Sequence, residues 1–199
     1  MRLKRIAQVC AKLKRIVLCD NFDDEGNGEQ WIGDGAGLYP AHELPDLDSE
    51  NVFSVFDIPV ESRKKWVVRT HAAADLHISF KDDDPSDRPL DEFGVSVEYG
   101  GVTFKPFKTQ DGKPLFINEL YLRPIAHLLD EITFFERDAG FETEGPDKEA
   151  KKVSAVVAKT GMMISAIIMP KDPTKDDGFL EGLFSLAETC RAQSGKGKS

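Results

Sequence analysis

Arg2, Arg5, Lys12 and Arg15 fall at the spacing of a helix and its exit, opposite an apolar stripe of Leu3, Ile6, Ala7, Cys10 and Leu13. Cations in such an array can meet successive phosphates of a nucleic acid without reading its sequence. The plainer account of the same pattern is a solvated helix face.

Other groups with chemical potential lack the context that their chemistry needs. Gly33-Asp34-Gly35-Ala36-Gly37 offers the bare backbone of a phosphate loop, but such loops open directly into a helix, and Leu38-Tyr39-Pro40 follows here. A tight hairpin turn fits better. Asn21, Asp23, Glu25 and Gly26 mimic the start of a calcium loop, yet Ile32 stands where the bidentate glutamate belongs. Asp82, Asp83, Asp84, Asp87 and Asp91 could gather a hard cation, although consecutive aspartates between prolines usually form a solvated loop. His42, His71, His77 and His127 show no ligand spacing, and no serine sits in a G-x-S-x-G elbow. The sequence therefore predicts no catalytic, cofactor or metal site. The alternative is an enzyme whose site is assembled from distant residues, with Asp34, His71 and Asp75 as candidates.

Composition bounds the partners. A net charge of −9 excludes a general nucleic-acid coat, because counterion release needs an extended cationic surface, but it allows one local basic face. Hydrophobic residues at 40% are enough for a core without staples. Cys10, Cys19 and Cys190 are odd in number and lack paired spacing, which predicts a reducing, cytoplasmic setting. Charge interleaves the first eighteen residues, so neither a secretory signal nor a membrane span is expected.

The elements that would position these groups follow from periodicity. Helix is predicted over 2–14 and strand over 15–19; strands at 30–32 and 36–39 flank the glycine turn, and Pro40 closes them. A short helix near 50–56, capped by Asp48 or Ser49, interrupts an irregular stretch over 41–65. Strands are predicted at 66–69, 75–80, 93–99 and 102–107, with 81–92 an exposed acidic loop. A second helix starts at Asn118 with Pro124 in its first turn. Strands at 131–137, 153–158 and 163–169 complete the series, and Pro170 ends it. A helix over 177–192 and a flexible tail over 193–199 close the single α+β domain predicted for 1–192.

Two stretches, 1–58 and 102–170, thus share one order: helix, strand, long polar loop, strand, glycine turn, strand, proline. Glu119-Leu120-Tyr121-Leu122 leading into Ile125-Ala126-His127-Leu128-Leu129-Asp130-Glu131-Ile132-Thr133-Phe134 resembles the helix-to-strand passage of the sliding clamps of DNA polymerases. Val153-Ser154-Ala155-Val156-Val157-Ala158 and Ser165-Ala166-Ile167-Ile168-Met169-Pro170 are similar to the closing strands of a bacterial clamp, which also end in Met-Pro. Trp31-Ile32-Gly33-Asp34-Gly35 resembles the hairpin of a first repeat.

The resemblance implies a duplicated αβββ unit, with helices on one face of a largely antiparallel sheet. It also implies a non-catalytic binding or scaffold module in DNA replication or mobile-element metabolism, possible as a homo-oligomer or beside replication proteins. Arg2, Arg5, Lys12 and Arg15 would then touch DNA phosphates. A protein-interaction module is the other expectation, with 179–190 as its docking element.

Overall fold

The computed structural model describes residues 3–22, 25–26, 28–42, 44–140, 152–171 and 178. Arg2, Cys190, the polar loop over 141–151, the predicted helix over 177–192 apart from Gly178, and the tail over 193–199 lie outside the described residues.

Helix α1 (Leu3–Leu13) forms where its apolar stripe recurs, and it buries Ile6, Val9 and Cys10. Strands β1 (Arg15–Phe22), β2 (Gly28–Gly33) and β3 (Gly37–Pro40) follow as an antiparallel meander. Helix α2 (Asn51–Val55) takes its start from Asp48, whose carboxylate accepts the Glu50 and Asn51 N–H groups as the sequence suggested. Helix α3 (Val60–Arg63) leads to β4 (Val67–Ala72), which runs parallel to β1. Then come β5 (Arg88–Pro89), β6 (Asp91–Glu92), β7 (Val97–Tyr99), β8 (Val102–Lys108) and β9 (Pro114–Asn118). The series ends with β10 (Ile132–Gly140), β11 (Lys152–Thr160) and β12 (Met163–Ile168).

The strands make two sheets. The larger has eight strands in the order β4-β1-β2-β3-β12-β11-β10-β5, all antiparallel except β1 with β4. The smaller is built on β8, with β9 along one side and β6 and β7 along the other. The protein is thus a mixed α+β fold with a mostly antiparallel sheet and few helices. No helix among the described residues is long and apolar enough to cross a membrane.

Alternation along the large sheet feeds two apolar layers. Ile16, Leu18, Ile32, Val156, Ala158 and Ile168 face α1 and the inner side of the small sheet, where Phe107 and Ile117 meet them. Val17, Cys19, Trp31, Ala155, Val157 and Ile167 face the other way, onto Phe80 and Ala139. Trp31 and Phe80 meet edge to face, with ring centroids 5.0 Å apart.

Several expectations are corrected. The helix expected from Asn118 is a 3-10 helix, Glu119–Ile125, with Pro124 near its end. Proline removes an N–H and crowds the carbonyl four residues back, which disfavours the wider α-helix. Asn118 still caps it by accepting the Leu120 N–H. The strand expected over 75–80 is instead a 3-10 helix, Ala73–Leu76, followed by a single bridge at Ile78, and within 93–99 only Val97–Tyr99 is strand. Strand β9 was not expected at all. Segment 81–92 is no free loop, since it contributes β5 and β6 and buries Leu90.

Among the described residues the two meanders pair through β3 and β12, at Leu38 with Ile167 and Gly37 with Ile168. Asp34 reinforces this narrow join. Its buried carboxylate accepts the Ala36 and Gly37 N–H groups at 2.9 and 3.1 Å and the Tyr121 hydroxyl at 3.0 Å. Tyr39 donates to the Tyr121 carbonyl at 2.7 Å, and Met169 N donates to the Ala36 carbonyl at 2.7 Å. Gly37 has to be glycine because a Cβ there would lie 2.5 Å from the Tyr121 ring. Replacing Tyr121 by phenylalanine strips one donor from a buried carboxylate and is expected to destabilise the fold by about 1–3 kcal/mol. Urea unfolding measures this, and an unshifted midpoint would show that the join does not depend on Asp34.

Candidate functional site

Helix α1 carries the cations singled out in the sequence, and the segment Glu119–Ile125 packs beside it. The Arg5 guanidinium donates to the Arg123 carbonyl at 2.8 Å and remains partly exposed. Lys12 is exposed at the rim of an open groove of about 550 Å³. Arg15 is different: its Nε donates to the Asp34 carbonyl at 2.5 Å, so its head is turned into the glycine turn. Of the four predicted phosphate contacts, Arg5 and Lys12 therefore share a surface, Arg15 serves the join, and Arg2 lies outside the described residues. Lys4 and Lys14 are exposed at either end of the helix and extend the same basic segment. Both were readable from the sequence as further cations of the helix. Arg123, at the groove, was not, because the segment carrying it has no net basic pattern.

The groove runs between the end of α1, β8 and the segment Glu119–Ile125. Leu13 belongs to the buried stripe of α1 yet is 57% exposed at this point, and Val102, Leu120 and Leu129 line the groove with it. Lys105, also lining it, is paired with Glu92 at 2.7 Å. Glu119 lines it too, its carboxylate accepting the Ser96 hydroxyl, so the arrangement is an apolar floor with a rim that is cationic at Lys12 and Arg123 and acidic at Glu119, which suits binding.

A second polar cluster lies on the opposite face of the large sheet. The Arg137 side chain is fully buried and holds the Asp87 carboxylate through Nε and Nη2, each at 2.7 Å. Its Nη1 donates to the Ser79 carbonyl at 2.7 Å. Lys159 reaches the same carboxylate at 2.5 Å, donates to the Asp82 carbonyl at 2.6 Å and lies over the Phe135 ring. Asp82 in turn accepts the Ile164 N–H at 2.8 Å. Asp84 adds a further negative charge near Arg137: partial burial pushes its carboxyl up, but the Ser86 and Ser79 hydroxyls and Arg137 outweigh that and hold it at about 2. The acidic run is thus a strap fastened to the sheet by two cations that alternation had placed indoors.

A third cluster is a hollow of about 380 Å³ near Arg88. Arg88 bridges Glu136 at 3.2 Å and Asp138 at 2.8 Å, and the Ser154 hydroxyl donates to Glu136 at 2.6 Å. No histidine lines it, and the Glu136 carboxylate that accepts from Ser154 is itself held by Arg88. Asp34 stands apart from the other two candidates, His71 and Asp75: it is bonded in the layer that holds α1, whereas Asp75 acts on Cys19 in the layer across the sheet and His71 is the register partner of Cys19. Among the described residues no group of three or more His, Cys, Asp or Glu side chains is arranged to hold a metal. Burial pushes the Cys10 thiol far up and the Cys19 thiol up to about 12, so neither is a thiolate near neutrality.

Neither a family model, nor a curated protein, nor a solved structure matches the chain.

Two outcomes follow from the clusters. Asp84 and Asp87 both titrate below their ordinary range in the fold, Asp87 because Arg137 and Lys159 overcome the effect of its burial. The folded chain then binds fewer protons than the unfolded one. Their stabilisation is complete above a pH of about 4 and drains as pH falls toward about 2. Asp87→Asn leaves two buried cations short of an anion and should cost about 3–5 kcal/mol at neutral pH while flattening the acid limb. Melting curves across pH test this, and an unchanged acid limb contradicts it. In peptide mapping of the native protein, a thiol reagent is expected to spare Cys10 and Cys19 until denaturant is added; prompt native labelling of either would overturn the burial argument.

Proposed function

We propose that the protein is a non-catalytic, clamp-like binding or scaffold module that associates with DNA through phosphate contacts from the α1 face, in replication or mobile-element metabolism. The observation that carries this reading is charge segregation. In a chain of net charge −9, α1 is the one helix among the described residues whose charged side chains, Lys4, Arg5 and Lys12, are all cations. Contacts of this kind are sequence-independent and salt-sensitive.

The clamp-like part of the reading draws support from strand order. The run β1-β2-β3 meets β12-β11-β10 so that each meander runs in chain order from the outside to the β3/β12 join, and each is preceded in the chain by a helical segment. The two helical segments pack against each other on one face of the sheet. This is the order that a duplicated αβββ unit would produce.

A second reading, a protein-interaction module, is favoured by one feature: Leu13 stands exposed over the apolar groove floor. Such a floor with Lys12 and Arg123 beside it suits an amphipathic segment with acidic flanks.

Fluorescence anisotropy with duplex DNA across salt concentrations separates the readings. Affinity is expected to fall with a slope of about −0.9 per phosphate neutralised. The double variant Arg5→Glu, Lys12→Glu should abolish binding, while the loss of one exposed hydrogen bond moves the melting temperature little. Binding by the double variant equal to that of the parent would remove the helix from the argument and leave the groove as the functional surface.

A further inference from the structure

We propose that β4 is a self-complementary edge, through which two copies of the chain pair about a two-fold axis passing through Thr70. The inference rests on the sheet edge alone and stands apart from the DNA reading.

The two edges of the large sheet are treated differently. The outer side of β10 is closed by the strap: Phe135 and Glu136 pair with β5, Leu90 N donates to the Phe134 carbonyl at 2.9 Å, and Gly140 N donates to the His77 carbonyl at 3.0 Å. Asp138 N completes the closure with a bond to the Ser86 hydroxyl. At the other end β4 is the last strand, and among the described residues nothing pairs with its outer side. It has no proline, no bulge in its register with β1 and no lysine, and Arg69 is the one cationic guard it carries. Val67 is 50% exposed upon it.

Polarity then fixes the geometry. Val67 N donates inward to the Lys14 carbonyl at 2.9 Å. Because N–H and C=O groups alternate sides along a strand, Val67, Arg69 and His71 bond toward β1, and Val68, Thr70 and Ala72 present theirs outward. An antiparallel partner of the same sequence can use these outward groups in one balanced register. Thr70 faces Thr70, and Val68 faces Ala72 twice. Arg69 then lies opposite His71; sliding by one pair in one direction would set Arg69 against Arg69, which like-charge repulsion disfavours, and sliding in the other leaves Val68 without a partner inside the strand.

Within the large sheet a single open edge among the described residues decides the symmetry. Head-to-tail growth of that sheet needs both of its edges free, and one of them is shut by the strap, so pairing through β4 closes as an isologous dimer. Residues directly opposite in an antiparallel pair point to the same face of the sheet, so the two-fold stands perpendicular to it. Both α1 helices therefore lie on one face of a continuous double-length sheet.

The full chain carrying Cys190→Ser, with Arg69→Cys, Thr70→Cys or His71→Cys added one at a time, tests the register. Facing Cα atoms in such a pair are about 5.5 Å apart, within disulfide reach. Mild oxidation should cross-link the Thr70→Cys chain several-fold more than either neighbour on a non-reducing gel. Sedimentation of the parent should report a dimer that dissociates on dilution. Thr70→Pro removes only an outward donor, so it should be monomeric with an unchanged melting temperature. A parent that stays monomeric at all concentrations, equal cross-linking at the three positions, or a Thr70→Pro chain that still dimerises would each overturn the proposal. Should Thr70→Pro fail to fold, the inward assignment of Val67, Arg69 and His71 is itself wrong, and the proposal falls with it.

Discussion

The carboxylate of Asp34 is the constraint on which most of the architecture leans. It sits with no exposure at the turn between β2 and β3, beside the two residue pairs that join β3 to β12. A buried carboxylate is tolerable only when donors surround it, and these come from the turn itself and from Tyr121, 87 residues away. Satisfying that one group therefore sets the shape of the turn, the need for glycine at position 37, and the position of the segment Glu119–Ile125 over the sheet. Since α1 packs on the same segment, its orientation follows as well. Arg15 belongs to this chain of consequence, held by the Asp34 carbonyl at the point where α1 becomes β1.

The strap over 79–92 answers a different problem. Alternation along β10 and β11 sends Arg137 and Lys159 into the same layer as Phe135, Ala139, Ala155 and Val157. Two desolvated cations require anions, and the bidentate Asp87 contact with Asp84 nearby supplies them. Such a cluster adds little net stability over an apolar equivalent, but it admits only one placement of the strap. Once the strap is fixed, Leu90 is buried and the outer edge of β10 is closed. The acidic run is therefore a structural tie rather than a solvated loop.

What could be read in advance tracks how local the deciding interactions are. Helix α1 and strands β1, β2, β3, β10, β11 and β12 announce themselves, because apolar period and glycine or proline punctuation act within a few residues. Strand β9 was hidden because its partner β8 confers its role, and the segment from Asn118 looked α-helical because Leu120, Tyr121, Leu122 and Ile125 suit either helix type. Pro124 was the deciding residue, and its effect depends on which turn it occupies. At the candidate site the same rule holds. Arg5 and Lys12 were legible from helical spacing, whereas the inward turn of Arg15 depends on a carbonyl 19 positions away and the task of Asp87 on a guanidinium 50 positions away.

The distribution of charge along α1 carries the remaining step. A helix favours anions in its first turn and cations in its last, each worth about 0.3–1 kcal/mol. Lys12 in the last turn obeys this, but Lys4 and Arg5 stand at the opposite end, and the first turn has no acidic residue to balance them. Among the described residues Arg5 gains a defined contact in return, the bond to the Arg123 carbonyl. Lys4 and Lys12 are exposed and make no other contribution to the core. In a chain with 35 acidic residues, most surface helices would be expected to recruit at least one. Residues that oppose local stability with no compensating contact are where functional departures from folding requirements are expected. On the proposed reading the partner is a polyanion, which would set negative charge against the positive end of the helix as well as against the side chains.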